Sequence, residues 1–272
     1  MSDMIQNGYT KLTRRLFALV LKRVLILSGA LFALTTILLL LSVNAITFVQ
    51  PYESLITRAG IRYVFLVALA VWIESEAVNI HVDHHRNGGV YTMMMLPTPR
   101  RNVFLAYCTR GVVCVLMLWT AITLALLASY APVAALCQNT AETFRQTGGS
   151  AEVLDVARTN GLFLAVVRSD LFHVLLPQSV PEAISSLLVM LSAGCLPALT
   201  LVCRFRRAAL VQGLVLAGTV ICVYWALACR FSSVTMGIDT TAFAASTAIL
   251  ALLAAGSVIY GVRRLNRDAG LN

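Results

Sequence analysis

Apolar residues along this chain come in long unbroken runs, unlike the strict alternation of strands or the three-and-four spacing of a soluble amphipathic helix. A hydrocarbon core of about 30 Å needs roughly 20 mostly apolar residues per crossing helix. Six windows meet that need: residues 24–49, 61–80, 103–130, 181–203, 208–229 and 241–262. Glu74 and Glu76 interrupt the inner third of the second. Continuous runs exclude a transmembrane barrel, whose strands alternate lipid-facing and lumen-facing positions. Backbone groups with no water nearby must pair within their own segment, so each run is expected to be a helix. The predicted fold is all-α, an integral membrane protein with six transmembrane helices in one domain over residues 1–272.

Three segments lie between or beside these runs. In residues 1–23, "YTKLTRRLFALVLKRV" sets basic positions 11, 14, 15, 22 and 23 among apolar ones at 12, 16, 17, 19, 20 and 21. That pattern suits a helix lying on the membrane interface, or simply a basic flank that fixes topology. The longest polar stretch is 131–180. Its later part, "LFLAVVRSDLFHVLLP", is too short to cross and stops at Pro177, which reads as an interfacial or re-entrant helix. The third segment, 84–102, joins the second and third runs.

Composition sharpens the picture. The chain is 59% apolar and only 12% charged, with mean hydropathy +0.82, against roughly 25% charged residues in soluble domains. Lys and Arg concentrate on cytoplasmic flanks. Placing both termini in the cytoplasm puts Lys11, Arg14, Arg15, Lys22, Arg23, Arg86, Arg100, Arg101, Arg204, Arg206, Arg207, Arg263, Arg264 and Arg267 on that side. The expected location is the plasma membrane, with multiple passes. The net charge of +9 follows from this topology and from attraction to anionic lipid, and gives no reason to invoke nucleic acid. The first apolar run is too long for a signal peptide and has no cleavage site after it, so it is expected to remain. The seven cysteines show no CxxC pair and fall mostly inside predicted helices, as apolar filler. Cys137 and Cys229 alone fall near the outer surface, where a disulfide is open to them.

Polar groups inside the runs are the first candidates for chemistry. At the depth of Glu74, Glu76 and Arg110, an ionisable group costs about 2.5 kcal/mol or more unless it faces protein or water. Glu76 and Arg110 fall on neighbouring antiparallel helices and can pair; helix ends wetted by cytosol are the other reading. His81, Asp83, His84 and His85 bring three of the four histidines together, with 81 and 85 on one helix face, where a metal could bind. That would make a membrane-embedded metalloenzyme, although no H-E-x-x-H pattern supplies a general base. A solvated helix end accounts for the same residues, and no metal site is assigned. Ala217, Gly218, Ala254, Ala255, Gly256 and Gly261 would allow close helix contact.

The most informative stretch is "HVDHHRNGGVYTMMMLPTPRRNVF". Gly88 and Gly89 precede a short apolar element, Val90 to Leu96, and Pro97 and Pro99 end it before Arg100 and Arg101 open the third run. This order, after a charged cluster and ahead of Val103-Phe104, resembles the permease subunits of the ABC-2 class of ATP-binding cassette transporters. The resemblance extends to length, six helices, internal termini and an interfacial N-terminal helix. It implies that Arg86, Gly88, Gly89, Tyr91, Met93, Met94, Met95, Leu96, Pro97, Arg100 and Arg101 form a coupling helix docked on a cytosolic ATPase subunit. Methionine offers a moving partner flexible, polarizable contacts; a headgroup-level helix facing lipid is the plainer reading. No G-x-x-x-x-G-K-[ST] phosphate loop is present. The chain is therefore not expected to be an enzyme and holds no cofactor of its own, while the partner subunit binds ATP and Mg. Six helices are half the complement of such a path, which implies a second permease subunit, identical or related. Export of a hydrophobic or amphipathic substrate is the expectation. An accessory or sensor subunit of a transporter is the remaining alternative.

Overall fold

The structure, a computed structural model, describes residues 2–44, 51–85, 99–146, 161–201 and 240–267, with separate helical positions between 217 and 228. The chain is all-helical, and no strand occurs among the described residues. The helices are α1 (Ser2–Asn44), α2 (Tyr52–Arg58), α3 (Ile61–His85), α4 (Arg100–Gln146), α5 (Gly161–Arg168), α6 (Asp170–Leu175), α7 (Val180–Cys195) and α8 (Thr240–Arg267). A 3-10 turn, Pro197–Leu201, extends α7. Five described segments are long and apolar enough to cross a membrane: Tyr9–Val43, Ile61–Asp83, Arg100–Asn139, Val180–Leu201 and Ala242–Arg264. They make this a multi-pass membrane protein. The crossing expected over 208–229 lies outside the described residues apart from a few helical positions such as Tyr224 and Trp225.

Several boundaries differ from the sequence reading. The interfacial helix expected over 1–23 and the crossing expected over 24–49 are one 43-residue helix. No proline or paired glycine breaks the chain between them, and the buried positions Leu12, Leu16, Val20 and Val24 keep one face through the joint. The basic segment is thus amphipathic but stands in line with the crossing, packed on α4. α4 in turn runs well past the expected 103–130 to Gln146, carrying Pro132 inside it; proline there forfeits one backbone hydrogen bond, and the Ala-Leu-rich residues beyond it resume the helix. The first part of the stretch expected outside the membrane from residue 131 is thus a continuation of α4 as far as Gln146. The later, apolar part of that stretch is two short helices, α5 and α6, broken at Ser169, whose backbone is extended (φ −83°, ψ 123°).

α4 is the central helix, with α1 along one flank, α7 along another and α8 at its start. Two apolar clusters are stacked along it. The larger includes Val24, Leu31 and Leu39 of α1, Phe65 and Leu69 of α3, and Leu118 and Ile122 of α4. The smaller gathers Leu12 and Leu16, Ile80, Phe104 and Tyr107, Cys195 and Leu201, with Val258 and Val262 against it. It therefore brings the start of α1, the end of α3, the start of α4 and the end of α8 to one end of the bundle. Lys11, Arg14, Arg15, Arg101, Arg263 and Arg264 are exposed there, and this is the basic end.

In lipid, apolar burial drives helix association weakly, so close backbone approach and polar ties carry more of the specificity. Here α4 and α7 touch backbone to backbone. A Cβ added at Gly111 would strike the carbonyl oxygen of Gly194, and one at Gly194 would sit 2.5 Å from the Val112 nitrogen. Likewise Gly261 of α8 leaves its space to the Phe104 ring. Ser192 Oγ donates 3.3 Å to the Leu250 carbonyl, tying α7 to α8.

The opposite end is closed by α2, α5 and α6. Trp119 Nε1 donates to the Leu175 carbonyl (3.1 Å) and Ser186 Oγ to that of Val174 (3.2 Å), fixing α6 into the bundle. The Tyr52 hydroxyl donates to the Leu126 carbonyl (2.7 Å) beside Ser129 Oγ (2.9 Å), with Tyr130 edge-on. Arg168 and Glu53, 3.8 Å apart at the surface, add little.

Two outcomes follow from this packing. Gly194→Val drives a side chain into the α4 backbone and should cost roughly 1–3 kcal/mol, read as a lower melting temperature in detergent, whereas Gly256→Ala, with nothing within 4 Å of the new Cβ, should leave it unchanged or slightly raised. Burial pushes the Tyr52 phenol from 10.0 up to about 12. Because the folded value lies above the unfolded one, its contribution is complete below pH 10 and is lost as pH rises toward 12. An alkaline melt series should show that loss, and Tyr52→Phe should remove the dependence together with about 1 kcal/mol of stability.

Candidate functional site

The site builds outward from the two helices that flank residues 86–98. α3 buries Ile61, Phe65, Leu69, Trp72, Glu76 and Ile80 at three-and-four spacing, so Glu76 falls on the core face by register. Glu74, two positions earlier and about 200° around the helix, is exposed. Arg110 lies on the core face of α4, immediately before the glycine that meets α7.

Arg110 Nη2 donates to Glu76 Oε1. The two side chains are 4% and 2% exposed. The guanidinium also stands over the Tyr107 ring, 4.5 Å from its centroid, a favourable arrangement for a desolvated cation. Glu76 Oε2 and Arg110 Nε have no hydrogen-bond partner among the described residues. Either charge alone, at this burial, would cost several kcal/mol, and mutual attraction in a low dielectric offsets that cost. The pair thus ties α3 to α4 about nine or ten residues, roughly 15 Å, from the ends that lead into residues 86–98.

The start of α4 is held on three further sides. Phe104 fills the Gly261 notch of α8, Gly111 meets Gly194 of α7, and the Tyr9 and Thr109 hydroxyls are 2.6 Å apart, joining α1. Arg100 and Arg101 occupy its first turn, where the helix dipole disfavours cations. Helix capping therefore does not account for them, and they add to the positive charge of the basic end.

Of the residues assigned to the coupling segment, Arg86, Gly88, Gly89, Tyr91, Met93, Met94, Met95, Leu96 and Pro97 lie outside the described residues; Arg100 and Arg101 are placed at the basic end. Glu76 and Arg110 are brought together and Glu74 is turned away. His81 is exposed, and the His84 and His85 side chains are not among those described. Among the described residues no three His, Cys, Asp or Glu side chains converge. Cys137 is a free thiol, half-buried, and Cys229 lies outside the described residues. Sequence reasoning missed Gly111, Gly194 and the Phe104–Gly261 contact. The available signal was an isolated glycine inside a helical run, in "TRGVV" and "SAGCL". Of the small residues picked out instead, Ala254 and Gly261 are buried whereas Ala255 and Gly256 are exposed.

The arrangement is a buried ion pair, a clamp that holds α3 to α4. Comparisons with protein-family models, with curated proteins and with solved structures return no match.

Breaking the clamp from one side should be expensive and from both sides cheap. Glu76→Met or Arg110→Met alone is expected to destabilise by roughly 3–5 kcal/mol, while the two changes combined should recover most of that loss. Denaturant titration of the four proteins in micelles gives the coupling energy directly; simple additivity of the two single changes would show that the clamp carries none.

Proposed function

We propose that this chain is the membrane-spanning permease subunit of an ABC transporter of the ABC-2 type, working with a separate cytosolic ATPase. The observation that carries the reading is the clamp: Glu76 and Arg110 join the two helices that flank residues 86–98, about 15 Å from the ends of those helices, which lie where the basic residues gather. A segment docked on a moving partner transmits force only if its two roots move together, and a buried ion pair serves that end. In this reading the basic end faces the cytoplasm of the plasma membrane, and residues 91–96 seat in a groove of the ATPase. ATP and magnesium are held by the partner. Closure of its two copies pushes the 86–98 segment, and α3 and α4 rock as one body against α7 across the Gly111–Gly194 contact. A second permease subunit, identical or related, completes the path, and the cargo is hydrophobic or amphipathic and exported.

The test is retention of the partner. With Tyr91→Asp and Met94→Asp introduced together, the tagged chain should still insert in the membrane but should co-purify with ATP-hydrolysing activity at least tenfold less than the unaltered chain, since charges on an apolar docking face leave it unable to desolvate. Unchanged recovery of the ATPase overturns the proposal.

A further inference from the structure

α8 turns one face to the bundle through Ser246, Leu250, Ala254, Ser257 and Gly261, all buried. Its opposite face, through Leu252, Gly256, Ile259, Tyr260, Arg263 and Arg264, is exposed. Toward the basic end this face holds a groove of about 300 Å³, lined among the described residues by Gly256, Ile259, Tyr260, Arg263 and Arg264. Glycine inside a helix costs about 1 kcal/mol relative to alanine. At Gly111, Gly194 and Gly261 the protein itself occupies the space of the missing side chain; at Gly256 an added Cβ would meet nothing within 4 Å. Packing among the described residues does not account for this glycine.

The cationic end of the groove lies seven and eight residues further on, about 10–12 Å along the axis. That separation matches the span from a lipid phosphate to the upper part of its acyl chain. The same spacing recurs on α1, where Gly29 is equally open and Lys22 and Arg23, both exposed, lie seven and six residues away toward the basic end. Two helices therefore set a cationic pair and an open glycine at the spacing of one headgroup layer and the chains beneath it.

We propose that the α8 groove binds one phospholipid with an anionic headgroup. Arg263 and Arg264 hold the phosphate region, the Tyr260 hydroxyl donates to it, and an acyl chain lies across Ile259 into the Gly256 notch toward Leu252. The two arginines select an anionic headgroup over a zwitterionic one, and basic residues gripping headgroups beside an apolar helix face are a recognised mode of lipid binding. The inference stands apart from the transporter reading and needs no ATPase.

Native mass spectrometry of the full-length chain, released from detergent with equal phosphatidylglycerol and phosphatidylcholine, tests it. The unaltered chain should retain phosphatidylglycerol preferentially. Arg263→Gln with Arg264→Gln should lower that retention about 25-fold, at roughly fivefold per arginine, without changing phosphatidylcholine. Gly256→Leu, which fills the notch, should lower retention of both lipids. Arg14→Gln with Arg15→Gln, at the same end of the bundle but on another helix, should leave phosphatidylglycerol binding as it was. The proposal is overturned by equal retention of the two lipids, by an equal loss in the Arg14 and Arg15 pair, by full retention in Gly256→Leu, or by a lipid-free dimer of this chain.

Discussion

A carboxylate and a guanidinium, each nearly sealed from solvent, cannot exist alone inside a membrane bundle at tolerable cost. Much else follows from their meeting. Glu76 and Arg110 must face each other, which fixes the rotation of α3 about its axis and its register along α4. With the rotation fixed, Glu74 is carried to the surface and Phe65 is brought edge-on to Trp119, with centroids 5.1 Å apart. The pair is not fully satisfied, since one carboxylate oxygen and the Arg110 Nε have no partner among the described residues. An orphaned polar atom in an apolar setting costs on the order of 1–3 kcal/mol. The clamp is thus firm in direction without being as deep an energy well as a completely hydrogen-bonded network would be.

Helix length adds a second constraint. α1 and α4, with 43 and 47 residues, are roughly 65–70 Å long at 1.5 Å per residue, about twice the hydrocarbon thickness. Neither can lie wholly within it. The smaller apolar cluster at the basic end is what holds the overhang together, because there α1, α3, α4, the turn after α7 and α8 all contribute buried side chains. Charged flanks, which in a shorter protein would only mark the membrane boundary, here sit on the outside of a packed second core.

Much of this architecture can be read from hydropathy, because water-free surroundings leave the backbone few options. The helical character of each apolar run, and the candidacy of Glu76 and Arg110 for one another, rest on that physics. What hydropathy could not supply is where a helix stops. The run of Leu, Ala and basic residues through residue 23 is as favourable to a helix in water as in lipid, so the apparent boundary between an interfacial segment and a crossing is a change of solvent rather than of backbone. Pro132 is similar: a proline marks a helix end in isolation, yet its neighbours outweigh the single lost hydrogen bond. The glycines that set helix separation were hidden for a different reason. Whether a glycine faces a neighbour's backbone or lipid depends on tertiary rotation, and Gly256 and Gly194 look alike in a linear string while playing opposite parts.

The far end of the bundle has its own consequence. α6 is seated with its last two carbonyls bonded by Trp119 and Ser186 from two different helices, and Leu171, Phe172, Val174 and Leu175 fill the space between them. This segment is a keystone: because its two anchors come from α4 and α7 separately, any shift of one of those helices against the other is felt at α6.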